Sequence, residues 1–391
     1  LKNLKNIFFI VIVFALGLVL YISHNNNFNF ASNENKISKL KNASEEQIKK
    51  EDKSEVKIFA MGDMIFHQPI VRSYKTTNSY DFTPIFAKIS TDINEADIAI
   101  ANFEGSVNSN RKLSGFPLFN YPKETIYSLK NAGFDAISTA NNHALDTGIE
   151  GILETISHIK ESGMNFFGTL VEDGEKGIII EKNGIKIGLI SFTDTLNGMD
   201  SLIRGREYYV NTFAQDVKAD IENLKNKSDI VIVYAHWGNE YQLIPNERQV
   251  NLKNMLQEYG VDIILGSHPH VLQKYEVEEK NNKKYFTIYS MGNALSNQRE
   301  EYLKKSGVDT GALIKLIIEK DNRSGETKLK SYGVYPTFVN RYREKCKLNY
   351  ELVKLEDIVS NEKISDVTNS EFKNKAEKKY NEAIKILKGE I

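Results

Sequence analysis

The chain has a single cysteine, Cys346, in 391 residues. One thiol makes neither an internal disulfide nor a cysteine cage for a metal, and it supplies no lipid-attachment site after the N-terminal apolar run. Net charge is almost absent as well. The 51 Lys and Arg against 52 Asp and Glu leave −1, so no global field argues for nucleic acid or for an anionic surface as partner. No internal repeat is evident. What remains is a globular composition, 41% hydrophobic and 26% charged, long enough for one large α/β domain or two ordinary ones.

The N-terminus reads as a membrane anchor. Lys2 and Lys5 precede an apolar run from Ile7 to Ile22. At about 1.5 Å per residue this run spans roughly 24 Å, slightly short of a ~30 Å hydrocarbon core. Leu4 and snorkelling lysines cover the difference. Positive charge before the run and none directly after it place the start inside and the rest outside the cytoplasm. A cleaved signal peptide is the alternative, but no small-x-small site follows; Ser23, His24 and an asparagine run come next. The expectation is an uncleaved single-pass anchor over 1–23 in the cell membrane. A polar stalk over 24–54 follows, rich in Asn, Lys, Ser and Glu.

From Val56 the texture changes to short apolar runs alternating with amphipathic stretches. Strands are expected at Val56–Met61, Asp97–Ala101, Asp135–Thr139, Gly177–Lys182, Ile185–Phe192, Asp229–Tyr234, Val261–Leu265, Tyr285–Tyr289 and Ala312–Ile318. Asn183-Gly184 between two β-rich runs predicts a hairpin. Helical patterns lie near 83–95, 123–132, 149–162, 213–227 and 247–259. Runs apolar on both faces, separated by helices, predict a central, mostly parallel sheet layered with helices over 55–340. Residues 341–391 read as a charged helical tail, most clearly from Ser370 to Lys388.

The polar residues recur at one kind of place. Apolar strands run directly into Gly62-Asp63, Asn102-Phe103-Glu104, Asn141-Asn142-His143, Ala235-His236, Ser267-His268-Pro269-His270 and Gly292-Asn293. In an open α/β sheet the carboxyl ends of parallel strands face one crevice, so distant positions deliver side chains to a common point. Imidazole suits Zn, Fe, Ni or Mn, and carboxylate and carbonyl oxygens suit Mn, Mg or Ca. Asp63, Glu104, Asn142, His236, His268 and His270 therefore read as a site for two divalent ions, which would acidify a bridging water and clamp the oxygens of a displacement. Singly, each has a plainer reading: Asp63 as an Asx-turn or helix cap, Asn102 and Glu104 as loop caps, His236 as a core histidine. His268-Pro269-His270 and Asn141-Asn142-His143 resist it more. His24 and His158 fall outside the pattern.

In this order the residues resemble the calcineurin-like metallophosphoesterase superfamily, and within it the poly-γ-glutamate capsule biosynthesis proteins of the CapA or PgsA type. The similar segments are Met61-Gly62-Asp63-Met64, Asn102-Phe103-Glu104, Ala140 to Gly148, His236 to Tyr241, Gly266 to Gln273 and Ser290 to Asn293. The resemblance implies a four-layered α/β/β/α sandwich, two sheets face to face with helices outside. It implies Asp63 and His270 on a first metal, Glu104 in the bridging place, and Asn142, His236 and His268 on a second; the ions would be Mn, Zn or Fe. His143 would protonate the leaving group or bind the substrate anion, with Asp146 orienting it. Two departures stand out. Ile65 occupies the place of the superfamily's Asp-x-His histidine, leaving His67 as a stand-in if a helical turn starts at Asp63. Glu104 replaces the usual bridging aspartate.

The implied role is an extracytoplasmic metal-dependent hydrolase or transferase acting on an anionic polymer such as poly-γ-glutamate, beside other capsule-synthesis membrane proteins. A non-catalytic polymer-binding or scaffold subunit of an export machine is the alternative, and a general phosphoesterase is a third. Fold alone does not decide among them.

Overall fold

The computed structural model describes residues 52–280, 283–360 and 370–391. Ser54–Ile391 forms one compact unit. The expected anchor and nearly all of the expected stalk lie outside the described residues. Among the described residues no helix is long and apolar enough to cross a membrane.

In chain order the strands are β1 (Lys53–Met64), β2 (Ile98–Phe103), β3 (Ala136–Ser138), β4 (Asn165–Phe167), β5 (Ile178–Lys182), β6 (Ile185–Thr193) and β7 (Ile230–His236). They continue with β8 (Ile263–Ser267), β9 (Tyr275–Lys280), β10 (Lys283–Ile288), β11 (Asn293–Leu295), β12 (Thr310–Asp321), β13 (Thr327–Glu344) and β14 (Lys347–Lys354). The longer helices are α1 (Glu124–Ala132), α2 (Gly148–Ser162), α3 (Val217–Lys225), α4 (Glu247–Glu258) and α5 (Ser370–Lys388).

These strands make two sheets where the residue pattern alone predicted one. The first has the order β14-β13-β12-β1-β2-β3-β4, with β11 also paired to β1. The second has the order β5-β6-β7-β8-β10-β9. In the first, β1 to β4 run parallel and β12 to β14 antiparallel. In the second, β6, β7, β8 and β10 are parallel, with antiparallel edges at β5 and β9. The Asn183-Gly184 hairpin forms as expected, with Asn183 at φ 51° and Gly184 at φ 75°.

Period-two alternation divides the apolar residues between layers. Ile58, Ala60, Ile98 and Ile100 of the first sheet meet Ile187, Leu189, Ile232 and Ile263 of the second in one buried cluster. Their neighbours Phe59, Met61, Ala99 and Ala101 pack on the opposite face with Ile126, Leu129 and Ile159 of α1 and α2. On the second sheet Ile190, Val231, Val233 and Ile264 pack against α3 and α4 through Ile221, Leu224, Leu252 and Leu256. The result is four layers: helices, sheet, sheet, helices. Strands buried on both faces have no polar side to show, which is why one and two sheets read alike from the sequence.

Of the charged helical tail expected from 341, the helix Ser370–Lys388 forms as α5, while the stretch before it departs from the expectation. Residues 341–354 finish β13 and form β14, with Arg341 opposite Tyr350. In α5 the charged composition hides an apolar stripe at helical spacing. Phe372, Ala376 and Tyr380 pack with Phe338 and Val353, and Ala383, Ile386 and Leu387 join the inter-sheet cluster.

Candidate metal centre

Each expected ligand sits where a strand leaves the sheet, held there by the backbone. At the end of β1, Gly62 lets the chain press on the Gly292 turn: a Cβ at 62 would lie 2.1 Å from Gly292 O. Asp63 N–H donates to that same carbonyl at 3.1 Å. The β1–β2 register shifts between Met61 and Asp63 and sets Asp63 opposite Asn102. Asn102 Nδ2 then donates to Asp63 Oδ1 at 2.8 Å. At the end of β2, Glu104 N–H donates to Met64 O at 3.2 Å, and Tyr121 Oη donates to Glu104 O at 2.7 Å. Gly105, at φ 137°, leaves room for that tyrosine, since a Cβ would fall 2.4 Å from its ring.

After β3, Asn141 ties the loop rather than offering a ligand. Its Nδ2 donates to Phe103 O at 2.8 Å, and its Oδ1 accepts His143 N–H at 3.1 Å. After β8, His268 and His270 take left-handed backbone, φ 95° and 58°. Non-glycine residues hold such conformations at a cost, a pattern concentrated at functional sites. Their turn is fixed by His268 N–H donating to Asp63 Oδ2 at 3.1 Å and by Asn293 Nδ2 donating to His270 O at 3.2 Å.

The side chains converge in two knots. His236 Nε2 lies 2.9 Å from Asn142 Oδ1 and 3.2 Å from His268 Nδ1. Asp63 Oδ2 lies 3.3 Å from His270 Nδ1, and Glu104 Oε1 lies 3.7 Å from His270 Nε2. Ligand atoms of Asp63, Glu104 and His236 all lie within 4.8 Å of one another, which links the knots. All six residues are buried.

A divalent cation fits this donor set. Both carboxylate oxygens of Glu104 are buried with no hydrogen-bond partner among the described residues. An ionised carboxylate left this way is very costly unless a cation pairs with it. Burial first, and Asp63 second, push the Glu104 carboxyl well above its usual range. Burial, then His270, brings His268 down to about 4, and burial and the neighbouring His268 ring hold His236 well below its ordinary value. Both rings are thus neutral, the form that ligates. His270 behaves oppositely: burial lowers it, but Glu104 and Asp63 outweigh burial and hold it up at about 9.

His143 and Asp146 stand beside this cluster. His143 Nδ1 is 2.7 Å from Asp146 Oδ2, which also accepts Phe119 N–H at 2.6 Å. The Phe119 ring meets the imidazole edge-on at 4.6 Å, and His143 Nε2 is 3.9 Å from Glu104 Oε1.

His67 does not reach Asp63 by a helical turn, because the strand continues to Met64 and the next helix begins only at Gln68. Its Nδ1 accepts Asn297 N–H at 3.2 Å, and burial, then His270, brings it down to about 3. It lines a cavity of about 260 Å³ together with Phe116, Phe119, His143, Tyr241 and His270. Glu240 and Arg299 also line it; neither was among the expected site residues, and neither occupies a strand end that would have marked it. The supporting amides Asn102, Asn141 and Asn293 were visible as asparagines at strand ends, but their partners were not.

The family model for bacterial capsule synthesis protein PGA_cap matches residues 57–298. The PGA biosynthesis protein CapA of Bacillus subtilis (strain 168) is 31% identical over 230 residues, 57% of this chain and 60% of that protein. This chain therefore spans less than two thirds of that relative's length. The capsule biosynthesis protein CapA of Bacillus anthracis is 26% identical over 304 residues, 72% of this chain and 71% of its own. Among solved structures, a novel phosphatase from Mycoplasma pneumoniae aligns over 72% of this chain and 93% of its own, at 13% identity and a TM-score of 0.43. A likeness at that score carries no assignment.

Proposed function

Because the chain belongs to the bacterial capsule synthesis protein family PGA_cap, we propose that it is a metal-dependent hydrolase or transferase of capsule polymer metabolism. The observation that carries this reading is Glu104, a fully buried carboxylate without a hydrogen-bond partner among the described residues, ringed by Asp63, His236 and His270. Asp63, Glu104 and His270 would hold one divalent ion and Asn142, His236 and His268 another, of Mn, Zn or Fe type, with Glu104 between them. Such ions supply polarisation of a substrate oxygen and acidification of water. The remaining chemistry belongs to the chain. His143, oriented by Asp146, stands where a proton can pass to a leaving group. Phe119 shields that pair from water, and the cavity mouth beside His67 and Tyr241 admits the substrate.

The substrate is an anionic polymer or ester, with poly-γ-glutamate as the leading candidate. The apolar run Ile7–Ile22 supports a single-pass anchor that holds the domain outside the cytoplasm, next to other membrane proteins of capsule synthesis. A second reading, polymer binding without turnover, is favoured by one feature: Ile65 contributes no imidazole to the first half of the site, and His67 is bonded to Asn297 instead.

Elemental analysis of the purified protein, with bis-p-nitrophenyl phosphate and γ-linked glutamate oligomers as substrates, tests the proposal. The expected result is bound divalent metal and turnover lost in His143→Ala. Near-zero metal after growth in supplemented medium overturns the hydrolase; retained metal with no turnover leaves the binding role. Fractionation of the full chain with membranes tests the anchor, and a soluble protein beginning after residue 23 refutes it.

A further inference from the structure

A second concavity adjoins the metal cavity. It has a volume of about 480 Å³, and its walls include Asn297, Tyr302, Arg341, Tyr342, Arg343 and Tyr350. Asn297 and Tyr302 also line the cavity that opens on His143 and His270. The two spaces thus lie on either side of a common wall. That wall is tied together by hydrogen bonds: Tyr350 Oη donates to Asn297 Oδ1 at 2.6 Å, and Asn297 N–H donates to His67 Nδ1 at 3.2 Å.

The charged residues lining this second concavity are both arginines, although the whole chain is nearly neutral. Arg341 and Arg343 are alternate residues of β13, hence on one face and about 7 Å apart along the strand. Burial raises the Tyr350 hydroxyl, yet three guanidiniums, Arg299, Arg341 and Arg72, pull against it. Arg341 is partly engaged. Its guanidinium lies 5.3 Å from the centre of the Tyr302 ring, and its Nη2 pairs with Glu301 at 2.7 Å, at the exposed rim. Arg343 is nearly free. Its side chain makes one hydrogen bond among the described residues, a long one of 3.4 Å to Cys346 O, and no carboxylate pairs with it there.

We infer that this arginine–tyrosine groove is a subsite for the carboxylates of an extended polycarboxylate chain whose neighbouring segment enters the metal cavity. Guanidinium forks take carboxylates in bidentate fashion, and two at regular spacing suit an anion that repeats along a chain rather than a single small ion. The flanking tyrosines supply rigid walls against which the chain's methylenes lie. The inference rests on the proposed function for the identity of the polymer, but it makes a separate demand: binding grows with oligomer length, whether or not the bound chain is turned over.

The test is equilibrium binding of fluorescein-labelled γ-linked glutamate dimer and decamer to the full chain. Arg343→Glu is the first variant, because Arg343 has so little to lose in the fold; Arg341→Glu/Arg343→Glu is the second. Lys218→Glu on α3 serves as the charge control, and thermal melting of each variant confirms folding. The expected results are decamer binding tighter than dimer by at least tenfold and weakened by added salt. Arg343→Glu weakens the decamer at least tenfold, and Lys218→Glu leaves it unchanged. Equal affinity for dimer and decamer overturns the inference, as does wild-type decamer binding by folded Arg343→Glu. An oligodeoxynucleotide of the same charge binding as tightly as the decamer refutes the assignment to carboxylates. Absence of turnover with length-dependent, Arg343-dependent binding would remove the hydrolase and keep the groove.

Discussion

Replacing Glu104 by glutamine separates what the carboxylate does for the fold from what it does for a metal. Glu104 is fully buried and its two oxygens lack hydrogen-bond partners among the described residues. In chelated protein its carboxyl is pushed well up by burial and then by Asp63, toward the uncharged form whose shape an amide shares. The expected change in metal-free stability is within about 1 kcal/mol in either direction. Loaded protein behaves otherwise. A metal present at 100 times its dissociation constant stabilises by about 2.7 kcal/mol, a gain of roughly 4 °C for a domain the length of Ser54–Ile391. Loss of a shared ligand weakens affinity by about 100-fold or more, at least the upper end of what outer-shell partners cost. At the same metal concentration the gain then shrinks to RT ln 2, about 0.4 kcal/mol. Scanning calorimetry of both proteins, chelated and then titrated with Mn or Zn, reads the difference directly. A Glu104→Gln protein that gains as much from metal as the wild type refutes the reasoning; so does one that loses more than about 3 kcal/mol when metal-free.

Other perturbations probe separate parts of the account. Asp146→Asn removes the carboxylate that holds both His143 and Phe119 N–H; turnover should fall by about 10²–10⁴ while the metal-induced melting shift persists, measured by paired assays and calorimetry. The chelated protein should lose stability as pH rises. His270 is held at about 9 against an ordinary 6.5, so its contribution is complete below 6.5 and disappears through about 9; the raised Glu104 acts in the same sense. Melting temperatures from pH 6 to 10 should fall in the chelated wild type and flatten in His270→Gln. Gly62→Ala places a Cβ 2.1 Å from Gly292 O, and the forced shift of the β1 terminus should cost about 1–3 kcal/mol in urea unfolding, with weakened metal response because Asp63 moves with it.

The strand-end residues were legible because a continuous apolar run that stops at Asp, Glu, Asn or His is an unusual turn. Asp63, Glu104, Asn142, His236, His268 and His270 do come together. Their supports were less legible. That Asn102 would hold Asp63 depends on a register shift between β1 and β2, and no spacing along the chain encodes such a shift. The condition set for His67 was hidden for a related reason: i, i+4 proximity needs a helix, and β1 runs on through Asp63 to Met64. The C-terminal third was read least well. β13 mixes lysines, arginines, Pro336 and half-exposed tyrosines, so its strand character lies in pairing with β12 and β14 rather than in composition. The helix α5 carries its apolar stripe beneath lysines, and its partners, Phe338 and Val353 toward one end and the inter-sheet cluster toward the other, make it a core element.

Anomalous diffraction from crystals of the protein grown with Mn tests the central claim most directly. The account predicts two peaks, one among Asp63, Glu104 and His270 and one among Asn142, His236 and His268, with both reduced in Glu104→Gln. Crystals that bind Mn elsewhere, or none at these residues, would contradict it.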